Sequence, residues 1–181
     1  MRFCSRTSVL LVWLVVVGAC ARQPEAPAAP AAQIQGSLNQ VMRGILFPNS
    51  NIIFDAQDRD PGGEADPNDP TAPAHVFYGT YGGWEAVENA SMALYEAANL
   101  VQLPGRKCAN GKDVPLGDET FQKGLMALRD TSMLAYKTAQ SKDMNAMLDV
   151  ADKLTQTCAT CHDRFRDIIV DGKTVGLEGR C

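Results

Sequence analysis

Four stretches of the chain repeat apolar side chains at steps of three and four. This is the period of a helix with one buried face. The first carries Ile34, Leu38, Val41, Met42 and Ile45. Pro48 lacks an N–H and crowds the turn before it, so it is expected to stop or kink this helix. Asn49-Ser50-Asn51 can cap a restart, with Ile52, Ile53 and Phe54 as its apolar face. The result is a broken first helix over residues 35–57. A second helix is expected from Trp84 to Leu103, with Val87, Ala90, Ser91, Leu94, Ala98 and Val101 on its stripe. Pro104-Gly105 ends it. Asp118 or Thr120 opens a third. Its buried face runs Phe121, Leu125, Leu128, Ser132, Ala135, Ala139 and narrows to small residues, which let another element come close. Ser141 or Asp143 opens a fourth, striped by Met147, Ala151, Leu154, Cys158, Cys161 and Phe165, and Gly172 is expected to end it. No strand alternation and no internal repeat is visible. The pattern predicts an all-α domain.

The flanking segments follow other rules. Residues 58–83 hold Pro61, Pro67, Pro70 and Pro73, which exclude regular structure through residue 74. Phe77, Tyr78 and Tyr81 then give this crossover something to pack with. At the start, Arg2 and Arg6 precede an apolar run from Val9 to Val17, too short to span a bilayer as a mature helix. Val17-Gly18-Ala19-Cys20 resembles a bacterial lipobox, with Cys20 as the lipidated residue. Ala19-Cys20-Ala21 also reads as an ordinary signal-peptidase site. The lipoprotein reading is preferred, because it explains a cysteine in a cleavage region. Either way the chain is exported. Residues 1–20 are thus a signal peptide and 21–33 an Ala/Pro-rich spacer. Residues 34–181 form one domain. The 181-residue chain is 45% hydrophobic with formal net charge -4. It can therefore bury a full core, and it shows no basic bias toward nucleic acid.

The chemistry sits on the fourth helix. Cys158-Ala159-Thr160-Cys161-His162 has the C-x-x-C-H spacing of c-type haem attachment. On a helix, Cys158 and Cys161 share a face, so two thiols can meet the two vinyl groups along one porphyrin edge. His162 follows on the same side as the proximal iron ligand. A thioredoxin-like C-x-x-C would need a βαβ context, which is missing. A zinc site would need four ligands, and His75, Cys108 and Cys181 are scattered singly. One covalent haem c is the expected cofactor. Export and C-x-x-C-H support each other, since c-type haem is attached outside the bacterial cytoplasm. No base, nucleophile or metal pair is visible beyond these residues, so an enzyme is not expected.

Four helices with C-x-x-C-H on the last resemble the cytochrome c′ and cytochrome c556 family, the class II c cytochromes. The specific match is Cys158-Ala159-Thr160-Cys161-His162-Asp163-Arg164-Phe165-Arg166, against C-x-x-C-H-x-x-[FY]-R. The resemblance covers about residues 33–170. It implies an antiparallel four-helix bundle, up-down-up-down, with haem on the C-terminal helix. The family places an axial or distal residue on the first helix. Leu38-Asn39-Gln40-Val41-Met42-Arg43 matches at Met42 and the basic residue after it, and departs at Leu38, where the family usually has Arg. Met42 is either the sixth iron ligand or a core gap filler. Arg166, four residues past His162, is either a propionate partner or a solvated arginine.

The resulting expectation is an electron-transfer haem protein in the periplasm, held to a membrane through its N-terminal lipid. Its partner would be a periplasmic redox protein, and a homodimer is also open. The alternative is a haem protein that binds or senses NO or CO at an open iron face. Cys4 leaves with the signal segment. Cys108 and Cys181 remain in an oxidising compartment. In an up-down-up-down bundle they fall at one end. They are read as a disulfide, with free or intermolecular thiols as the other reading.

Overall fold

The computed structural model describes residues 33–63, 81–166, 168–171, 173–175 and 181. The expected signal peptide, the spacer, Cys20, His75, Phe77, Tyr78 and Gly172 lie outside the described residues. Residues Ala32–Cys181 make one compact unit.

The described residues form a set of packed helices followed by a small hairpin. The first arm is α1 (Leu38–Val41), a π-helical turn (Met42–Leu46), α2 (Phe47–Phe54) and a 3-10 turn (Asp55–Gln57). Ser37 caps it through a capping box with Gln40, so two end donors are satisfied. The expected break at Pro48 is corrected here. The helical run does not stop; it widens instead. The Phe47 N–H bonds to the Met42 carbonyl, five residues back. Proline offers no N–H to the carbonyl four residues earlier and its ring would crowd it. A single wide turn relieves both problems. Asn49-Ser50-Asn51 do not cap a restart either. Their side chains donate backwards, Asn49 to the Ile45 carbonyl at 2.7 Å and Asn51 to the Phe47 carbonyl at 2.7 Å.

The longer helices are α3 (Gly83–Val101), α4 (Glu119–Ser141) and α5 (Met144–Phe165). Asp118 caps α4 by accepting from the N–H groups of Thr120 and Phe121. Asp143 caps α5 by accepting from the Ala146 N–H at 3.0 Å. Between them Lys142 takes a left-handed conformation, which turns the chain in two residues. The apolar stripes read from the sequence are buried together. Ile53, Leu94, Met147 and Leu154 are fully enclosed, within one cluster that spans all the helical arms. α3 packs on α4, α4 on α5, and the first arm on both α3 and α5.

Two features of the C-terminal segment correct the sequence reading. α5 ends at Phe165, not at Gly172, because Arg166 adopts extended backbone. Strands β1 (Ile168–Val170) and β2 (Lys173–Val175) then pair antiparallel, with Ile169 opposite Thr174. Ile168-Ile169-Val170 are β-branched, and Asp171-Gly172 is a hairpin turn signal.

One end of the bundle is tied across several elements. The Leu38 N–H bonds to the Lys107 carbonyl at 2.8 Å. Arg106 is buried and donates to the Leu100 carbonyl at 3.0 Å and the Gly36 carbonyl at 2.5 Å. Cys108 and Cys181 are joined as a disulfide with Cα atoms 5.1 Å apart. The Cys181 N–H bonds to the Phe165 carbonyl at 2.8 Å. Among the described residues, no helix is long and apolar enough to cross a membrane.

Candidate functional site

The C-x-x-C-H residues occupy the last two turns of α5, next to that tied end. Met147, Val150, Ala151 and Leu154 bury the helix below them. This anchors one face, and Cys158 and Cys161 continue it at half burial. Both are free thiols. Burial, and then the neighbouring Cys161, pushes the Cys158 thiol up; burial pushes Cys161 up as well. Near neutral pH both sulfurs are therefore protonated and slow to oxidise by chance. The disulfide at Cys108 and Cys181 removes both from any set of thiolate ligands with Cys158 and Cys161.

His162 is also half-buried. Burial lowers its proton affinity first, the nearby Arg166 lowers it further, and Asp163 opposes them. The ring is thus held neutral, the form in which histidine ligates iron. Arg166 lies at the end of α5 rather than on its helical face. Its Nη1 stands 3.4 Å from Nδ1 of His162.

The sequence reading missed what faces the motif. Gly124, buried inside α4, lies against Cys161: a Cβ at 124 would overlap the Cys161 sulfur unless that side chain turned away. Gly124 is not among the glycines with positive φ, so the backbone does not require glycine there. Glycine inside a helix costs about 1 kcal/mol against alanine. Space for the sulfur is the reason left. A lone glycine between Phe121 and Leu125 is the signal that flags such a packing position. One turn of α5 below Cys161, the Thr157 hydroxyl meets the Thr131 hydroxyl of α4 at 3.3 Å. Above it, Phe165 meets Phe121 edge-on, with ring centroids 5.2 Å apart. Arg164 pairs with Asp118 at 3.0 Å and lies over the Phe165 ring.

Met42 begins the π-helical turn of the first arm and is half-buried against the core. It lies one turn in from Leu38 at the tied end, as His162 does from Phe165 on α5. The residues present fit a covalent haem on three counts. Two free thiols share one helix face, an imidazole follows them directly, and α4 leaves room for the Cys161 sulfur at Gly124.

Comparison with family models, curated proteins and solved structures returns no match for this chain.

Asp118 makes a testable contribution at this end. Its cap bond from the Phe121 N–H, followed by its bonds to Arg164 and the Thr120 N–H, holds its carboxyl below the usual 3.8 despite some opposing desolvation. A lowered folded value means that the charged form stabilises the fold above pH 3.8 and that this is lost as pH falls through the folded value. Asp118→Asn keeps a cap oxygen without the charge. Thermal melts are expected to show wild type more stable at pH 7, with the gap closing on acidification below pH 3.8. A gap independent of pH would refute the charge assignment.

Proposed function

We propose that this chain is an exported c-type cytochrome that carries one covalent haem and transfers electrons. The observation that carries the proposal is the arrangement on α5: Cys158 and Cys161 free on one face, with His162 next to them and Gly124 leaving room for the Cys161 sulfur. The bundle is read as up-down-up-down. Supporting this, the start of the first arm, the loop after α3, the start of α4 and the end of α5 meet at one end. With C-x-x-C-H on the last helix, this reading resembles the arrangement of the cytochrome c′ and c556 family.

The haem, when bound, supplies one-electron chemistry at its iron. The chain's own residues set the conditions. Cys158 and Cys161 would hold the group by thioethers, so retention would not depend on iron ligation. His162 would supply a nitrogen ligand to the iron. Met42, from the first arm, would supply a thioether ligand, which would raise the potential and limit rearrangement on electron transfer. Arg166 stands beside the His162 ring, and its pairing with a propionate is part of the same proposal. The leader places the protein in the periplasm, with Cys20 as its lipid attachment and a periplasmic redox protein as its partner.

The experiment is export of the full chain in cells that attach c-type haem. The wild-type mass is expected to rise by one haem that acid–acetone extraction does not remove. The Cys158→Ser/Cys161→Ser variant is expected to carry no covalent haem. Loss of the wild-type haem on extraction would overturn the proposal. Visible spectra of wild type and Met42→Ala then read the sixth ligand. A shift from low to high spin identifies Met42 as the ligand, and identical high-spin spectra favour the open iron face of a gas-binding protein.

A further inference from the structure

We propose that Gly124 is the positioning residue for the second thioether, so that α4 takes part in haem attachment although it carries no attachment residue. The inference rests on the cytochrome reading above. A Cβ built at 124 would stand 3.8 Å from the Cys161 Cβ, an ordinary contact, but well inside van der Waals contact with its sulfur. The Cys161 backbone therefore fits beside an alanine, and its side chain in this orientation does not. Cys158 is not among the near contacts of the Gly124 cradle, so the constraint falls on one thiol of the pair. The surroundings leave α4 little freedom to retreat. The Thr131–Thr157 contact holds it to α5 below Gly124, and the Phe121–Phe165 contact holds it above. Each attachment is an addition. The Cys S–H adds across a vinyl C=C, a C–S bond forms at the carbon next to the ring, and the hydrogen goes to the terminal carbon. The π bond is consumed, and no oxidant or reductant is needed. What the step does need is a thiol aimed at the vinyl carbon, and the Gly124 cradle gives the Cys161 sulfur that room.

The test compares wild type, Gly124→Ala and Gly124→Ser, exported as the full chain in haem-attaching cells. Wild type is expected to give two thioethers. The variants are expected to keep the Cys158 bond, to leave Cys161 open to alkylation in the peptide map, and to show the red-shifted pyridine haemochrome band of one remaining vinyl. A second arm uses the full chain made without haem attachment. There Gly124→Ala is expected to lower the melting temperature when Cys161 is present and to leave it unchanged or raised in a Cys161→Ala background. Two thioethers in Gly124→Ala, or equal destabilisation in both backgrounds, overturns the proposal. Should Gly124→Ala not accumulate, recovery in Gly124→Ala/Cys161→Ala supports it and failure to recover overturns it. Absence of covalent haem from wild type is a different result: it removes the cytochrome reading, whatever the variants do.

Discussion

Replacing Cys108 and Cys181 together by serine is expected to lower the stability of the chain by up to about 4 kcal/mol. The bond closes a loop between residues 73 apart in sequence. In the chain-entropy model, most of the gain comes from states denied to the unfolded chain, and it grows slowly with loop length. The folded state adds a local effect. Cys108 is buried, so a serine there would place a hydroxyl in an apolar setting. The link also holds Cys181 where its N–H reaches the Phe165 carbonyl, at the end of the helix that carries the motif. Denaturant unfolding of wild type and the double variant checks the figure. Wild type measured in reductant should approach the variant. The two single replacements should each cost nearly as much as the pair, since either one breaks the same bond. Two alkylatable thiols at Cys108 and Cys181 in freshly exported protein would remove the basis for the prediction.

Phe121→Ala is expected to cost about 3 kcal/mol, within the range for emptying an aromatic site in a core. Phe121 is buried at the first turn of α4, and Phe165, the last residue of α5, meets it at an interplanar angle of 88°. An edge-to-face pair adds about 1 kcal/mol beyond area burial. Phe121→Leu should cost less, because it refills most of the volume and loses only the ring contact. Phe165→Ala should cost a similar amount, and the double variant should cost less than the sum, since both changes remove one contact. Additive losses in that cycle would show that the rings do not act together. Phe165 follows His162 by three residues, so loosening this pair frees the end of α5 that presents the imidazole. If the chain carries the proposed haem, recovery of its native visible spectrum after denaturation and refolding should therefore fall in Phe121→Ala more than in a core variant far from the motif, such as Leu94→Ala.

The attachment motif was legible because it is local. Cys158, Cys161 and His162 lie within five residues, and helical spacing alone puts both cysteines on one face. The stripes ending in Val101, Ala139 and Phe165 were legible for the same reason: a buried helix face repeats at 3.6 residues, whatever it packs on. Where two local signals competed, neighbouring packing decided. Pro48 reads as a break. The core side chains on both sides of it, Val41 and Leu46 before and Ile53 after, are buried together, so the chain keeps its helix and widens one turn. The end of α5 shows the same competition: Gly172 is a stop signal, but the β-branched run before it leaves the helix earlier, at Phe165. That run needs a partner strand to form, and Lys173–Val175 supplies one.

Contacts between distant segments were beyond the reach of any periodic reading. Gly124 is a mild fault in a helix until Cys161, on another helix, is seen against it. The buried Arg106 looks like an ordinary loop arginine until the carbonyl of Gly36, 70 residues earlier, is placed beside it. The sequence determined the helical segments, the C-x-x-C-H spacing and the even count of leftover cysteines, because each depends on residue type and short spacing. Tertiary structure alone decided which helix turns face one another. That depends on the close packing of side chains from separate segments, where one absent Cβ or one buried guanidinium sets the fit.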